Sequence, residues 1–148
     1  MDDARPGDWR ARGVMANAAP DVVEGGCHCG AVRFRITVRS HEAVECNCSM
    51  CAKKGFLHLI VPENDFELLR GADALTTYTF GTHTAKHHFC SHCGIHSYYR
   101  PRSHPEQIDV NLRCLDGVDL SNFSLSAFDG QNWEDSVEEL RARHRNRQ

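Results

Sequence analysis

From Val32 onward apolar and polar positions alternate. Val32, Phe34, Ile36 and Val38 are apolar, Arg33, Arg35 and Thr37 between them are polar, and a period of two predicts a half-buried strand over AVRFRITV. FLHLIV (56–61), closed by Pro62, is a second apolar run. FELLR, LTTYTF and TAKHHF read as further strands, with Gly71 and Gly81 at the breaks between them. The segment around Gly81-Thr82 predicts a hairpin that delivers the chain into FCSHCG. IHSYY and QIDVNL read as late strands on either side of the loop RPRSHPE. Upstream, order begins at Val22-Val23, before a turn at Gly25-Gly26. Only the end has a helical pattern: Asn132 is placed to cap WEDSVEELRARHR, whose acids come first and arginines last, as the helix dipole prefers. The fold class that follows is mainly β, with short antiparallel strands and one short C-terminal helix.

Residues 1–21 mix glycine, proline and both charge signs without periodicity and read as a disordered tail. Residues 22–135 read as one domain and 136–148 as a helix end with a basic tail, RARHRNRQ, too short for a nucleic-acid arm. A chain of 148 residues has room for one core, and 41% apolar with 25% charged residues is ordinary for a globular protein. A net charge of −3 gives no general attraction to nucleic acid or to an anionic membrane. No apolar run reaches the length of a membrane span, and the N-terminal stretch lacks the apolar stretch of a secretory signal. Eight cysteines in such a chain point to metal binding in a reducing compartment, cytoplasm or nucleus, rather than to disulfides.

Seven of the eight fall in three clusters: Cys27 and Cys29, Cys46, Cys48 and Cys51, and Cys90 and Cys93. Such close spacing lets neighbouring sulfurs reach one ion at about 2.3 Å, and Gly30 and Gly94 suit the tight turns required. Two clusters of two make a closed four-thiolate site. The third, with three ligands, leaves a tetrahedral zinc one position short, the arrangement of catalytic sites. Spacing alone leaves open which clusters share an ion. Three thiolates over-neutralise a divalent ion, so this zinc would activate water poorly and hold a soft guest well. A thiol bound there is ionised, and the chemistry implied is making or breaking of C–S bonds.

GGCHCGAVRF, CNCSMC and FCSHCG, in this order and at these separations, resemble the glutathione-dependent formaldehyde-activating enzyme family. HLIVP, LTTYTF, YRPRSHP, CLDG and FDGQNWE extend the likeness from Gly25 to Trp133. The resemblance implies a β-tent fold with two zinc ions. It implies a structural zinc on Cys27, Cys29, Cys90 and Cys93, and a second on Cys46, Cys48 and Cys51 that meets glutathione. The activity implied is a carbon–sulfur lyase reaction, addition of the thiolate of glutathione, or of another small thiol, to formaldehyde or a related small electrophile; glutathione and formaldehyde give S-(hydroxymethyl)glutathione. The strings also resemble a branch of the family with a chromosome role, which implies an alternative: a zinc module silent in catalysis with a chromatin or cytoskeletal partner.

Other residues carry weaker signals. His96 and His58 are candidates for the proton transfer at the open zinc, with His88 a third strand histidine to weigh. Lys53, Lys54 and Arg100, with Arg102, are candidates for holding the carboxylates of glutathione. His28 and His92 lie inside the clusters and read as solvent-facing or supporting residues. Cys114 stands alone and reads as a small buried hydrophobe, with a redox thiol as the competing role.

Overall fold

The structure, a computed structural model, describes residues 21–145. All but the last residue of the stretch read as a tail, and residues 146–148, lie outside the described residues. In chain order the elements are β1 (Asp21–Gly26), β2 (Arg33–Val38), β3 (Glu42–Cys46), α1 (Ser49–Lys54), β4 (Leu57–Pro62), β5 (Phe66–Arg70), β6 (Leu75–Tyr78), β7 (His87–Cys90), β8 (Tyr98–Tyr99), β9 (Gln107–Asn111), β10 (Ser124–Phe128) and α2 (Trp133–Arg145). They form a three-stranded sheet in the order β1-β2-β5, a five-stranded sheet in the order β10-β3-β4-β9-β8, and the β6-β7 hairpin. The mainly β expectation holds, and the hairpin around Gly81 forms with Leu75 opposite Cys90.

The alternation in β2 does what its pattern requires. Val32, Phe34, Ile36 and Val38 are buried and meet Leu59, Val61, Ile108 and Val110 of the larger sheet in one core. Each such side chain contributes roughly 1.5–3 kcal/mol by leaving water. Phe34 also packs on Phe66 and Tyr98, with ring centroids 5.4 Å and 6.0 Å away. In β4 and β9 the residues between these core positions, His58, Ile60 and Asp109, face the opposite side of the sheet and line a cavity there. One strand of FLHLIV therefore serves two compartments.

Several expectations give way. Gly25 and Gly26 are not a turn; they pair with Phe34 and Arg33 as the end of β1, and the chain reverses after Cys27. The helix α1 appears where no helical period exists, because its six residues are held by Cys48 at one end and left-handed Gly55 at the other rather than by an amphipathic face. β3 lacks an alternating pattern and forms between β10 and β4; β10, in which Leu125 and Ala127 alternate with Ser124 and Ser126, pairs with β3 in parallel, unlike the other ladders of the described residues. Asn132 does not start α2. It sits in a 3-10 turn, Gly130–Asn132, that runs into the helix, with its side-chain amide donating to Asp129 at 2.8 Å. α2 continues through residue 135 to Arg145 and buries Val137, Leu140 and His144.

Candidate active site

The fold gathers seven cysteines into two groups. The sulfurs of Cys27, Cys29, Cys90 and Cys93 lie within 4.8 Å of one another, as do those of Cys46, Cys48 and Cys51. The first and last clusters thus come together, a pairing that spacing had left open. Gly30 and Gly94, at φ +81° and +76°, make the left-handed turns that follow each pair. The amides of Val32 and His92 donate to the sulfurs of Cys27 and Cys90 at 3.3 Å and 3.4 Å. This group ties the three-stranded sheet to the β6-β7 hairpin.

The second group is built at the end of β3 and the start of α1. Cys48 is the N-cap residue, its sulfur accepting from the Cys51 amide at 3.3 Å, while the Cys48 amide donates to Cys46 at 3.4 Å. Hydrogen bonds from Cys46 and then Cys51 lower the Cys48 thiol to about 2. Cys46 rises to about 11, chiefly through its bond to Cys48, and Cys51 is pushed up by its bonds to Cys46 and Cys48. Three crowded sulfurs with amide support are a donor set that suits a soft divalent cation such as zinc, which would ionise all of them. The four-cysteine group fits the same ion with its coordination closed.

The three sulfurs form one wall of a cavity of about 450 Å³. The polar face of the larger sheet supplies another. There Asp109, 1% exposed, accepts a 2.6 Å hydrogen bond from Nδ1 of His58, itself 5% exposed. The remaining ring nitrogen of His58 has no partner among the described residues. His87, from β7, also lines the cavity and stacks between Phe80 and Tyr99. Burial, and then the nearby Lys54 charge, lowers His87 to about 4, so it is neutral near pH 7. Trp133 at the start of α2 completes the rim, with the Arg102 guanidinium 3.7 Å above its ring.

Among the expected site residues, Cys46, Cys48, Cys51 and His58 meet in this cavity. His96 does not line it; its ring packs on Phe89 and its carbonyl accepts from Asn111. His88 likewise turns outward to Thr77. Lys53 is exposed, whereas Lys54 folds inward over Phe56 and Tyr99 and bonds His87 at 3.1 Å. Burial lowers the Lys54 pKa. Arg100 pairs with Glu63 at 2.8 Å away from the cavity, and Arg102 takes the position at the rim. Strand alternation is the reason for the histidines and aromatics: Tyr99 faces the cavity, and its neighbour Tyr98 faces the core. Cys114 lies beside the four-cysteine group, its thiol raised to about 12 by burial.

Asp109, His87 and Gly130 had not been singled out. An acid inside the apolar strand QIDVNL was a usable signal, since such a position is costly without a partner. For His87 and Gly130 the local sequence offers none.

The model of the glutathione-dependent formaldehyde-activating enzyme family matches residues 22–129. A protein of Halomonas elongata that carries this enzyme's name provisionally is 33% identical over 104 residues, covering 64% of this chain and 66% of the relative's own length. A crystal structure of a Rhodobacter sphaeroides protein is 38% identical, with a TM-score of 0.64, and covers 70% of this chain and 99% of that one. No helix among the described residues is long and apolar enough to cross a membrane.

Proposed function

Because the chain belongs to the glutathione-dependent formaldehyde-activating enzyme family, we propose that its cavity adds the sulfur of glutathione, or of a related small thiol, to formaldehyde and yields S-(hydroxymethyl)glutathione. The observation that supports this reading most is the placement of the three-sulfur group and the buried Asp109–His58 pair on walls of one cavity. Zinc held by Cys46, Cys48 and Cys51 would supply a soft fourth position that keeps the guest thiol ionised. A second zinc on Cys27, Cys29, Cys90 and Cys93 would be structural.

The chain's own residues do the rest. Asp109 holds His58 with its proton on Nδ1, which leaves Nε2 to accept the thiol proton. The sulfur pair then forms the bond to carbon, the carbonyl pair moves to oxygen, and His58 returns the proton to that oxygen. Arg102, stacked on Trp133, meets a carboxylate of the peptide at the rim. Thiolates in both groups stay reduced in cytoplasm or nucleus, where this chemistry belongs.

Thiols add to formaldehyde unaided, so the test begins with coordination. X-ray absorption at zinc should show more sulfur when glutathione is added, and Cys51→Ser should abolish that response. Coordination unchanged by glutathione, with no turnover of a C–S adduct, would overturn the reading. It would favour the zinc module silent in catalysis, with a chromatin role as in centromere protein V.

A further inference from the structure

Two histidines of the cavity wall have partners of opposite character, and these dictate opposite tautomers. His58 presents Nδ1 to Asp109, and a carboxylate only accepts, so the ring proton sits on Nδ1 and Nε2 carries a lone pair. His87 presents Nδ1 to the Lys54 amine at 3.1 Å. That amine lies over the faces of Tyr99 and Phe56, 4.2 Å and 4.6 Å from their centroids, positions that favour an ammonium. An ammonium only donates, so Nδ1 of His87 must accept and its ring proton sits on Nε2.

His87 is held firmly. Its ring lies between Tyr99 and Phe80, with centroids 4.9 Å and 5.5 Å away and interplanar angles of 15° and 16°. It is 4% exposed, and its Nε2 has no partner among the described residues. The residue lines the cavity, and a buried N–H without a protein partner there is a donor that a bound guest could satisfy.

We propose that His87 is a catalytic residue whose Nε2–H donates a hydrogen bond to the carbonyl oxygen of the aldehyde and holds the alkoxide that forms as sulfur attacks carbon. This rests on the reading of the cavity as a thiol–aldehyde site. His87 keeps its own proton throughout. The proton that ends on the product oxygen is the one released by the thiol and carried by His58. Bond making therefore has a proton acceptor and an oxygen-side donor, assigned to separate histidines by Asp109 and Lys54. The substrate class that follows is a small carbonyl compound; an electrophile without an oxygen acceptor at the attacked carbon would leave the His87 donor unpaired.

Nitrogen-15 NMR of the histidines in the zinc-loaded protein tests the tautomers directly. His87 should carry its proton on Nε2 and His58 on Nδ1, and Lys54→Met should release His87 from its single tautomer. In kinetics, His87→Phe should keep zinc content and the glutathione response at the metal but lower kcat roughly 10²-fold, the usual effect of losing one oxyanion donor. His87→Gln, which keeps an N–H, should recover part of that loss. A His87 proton on Nδ1 would overturn the proposal. So would a His87→Phe variant that binds glutathione and turns over as fast as the parent, while the function proposed above would stand. If His87→Phe does not fold, the tautomers of the parent and the kcat of His87→Gln decide. A parent that neither binds glutathione at zinc nor turns over the adduct would remove both.

Discussion

A methyl group built on Gly130 would stand 2.6 Å from the sulfur of Cys46 and 2.8 Å from Cβ of Cys48. The two segments meet because β10 lies parallel to β3, with Phe128 opposite Cys46. Asn47, between the two cysteines, then clamps the connection: it donates to Asp129 and accepts from the Gln131 amide, both at 3.0 Å. The glycine is there for room beside the sulfur. Gly130→Ala should displace Cys46 and lower metal content from two zinc ions per chain toward one, with the four-thiolate ion retained. Two tightly held ions in this variant would exclude Cys46 as a ligand.

Asp109→Asn should leave both metals in place and lower turnover by roughly 10²-fold or more. An amide can donate to Nδ1 of His58, which moves the ring proton to Nε2 and removes the base from the cavity. Steady-state kinetics at saturating glutathione, beside zinc analysis, would check this. Unchanged kcat would mean that His58 moves no proton.

The two cysteine groups should fail differently. Cys90→Ser breaks a group whose ligands join two sheets, so insoluble or unfolded protein is expected. Cys48→Ser and Cys51→Ser should remain folded with about one zinc lost, since α1 and β3 are local neighbours there. Circular dichroism and metal analysis of the three variants give the comparison; a well-packed Cys90→Ser protein with unchanged melting would contradict it.

Acid should destabilise the fold through His104. Burial, and next the charge of His144, lowers His104 to about 4 from the usual 6.5. Between those values the unfolded chain binds a proton that the folded chain does not, so stability present above pH 6.5 is lost as pH falls toward 4. The loss from this residue is up to about 3 kcal/mol. Melting curves across that range should fall less steeply for His104→Gln than for the parent, and equal slopes would refute the assignment.

Cys114→Ala should keep metal content and turnover and lose about 1 kcal/mol of stability. The thiol is raised to about 12, first by burial and then by the Cys27 and Cys93 charges, and its nearest hydrogen-bond acceptor is the His96 carbonyl at 3.9 Å. Loss of a thiol-dependent reduction in this variant would instead give Cys114 a redox role.

Local pattern carried much of this protein. Period-two burial in β2 was legible because its two faces meet different media, and the cysteine clusters were legible because ligands of one ion must be near neighbours or come in pairs. That three sulfurs would leave a tetrahedral ion one position short needed only counting. Tertiary structure decided everything that depends on contacts between distant segments. β3 carries no alternation and exists through β4 and through β10, which comes from far along the chain. In β4 the chain displays apolar residues on both faces, so nothing local tells that Leu59 enters the core while His58 enters a cavity. His58 finds Asp109 because β4 and β9 align Asn111 opposite His58, bringing the residue two positions earlier onto the same face. Lys54 reads as a solvated charge beside Lys53; only the packing of Phe56, Tyr99 and His87 around it turns it inward. Metal ligands are set by short-range geometry, whereas proton-transfer partners are set by strand register and by which sheet face is covered, and those follow from the assembled fold.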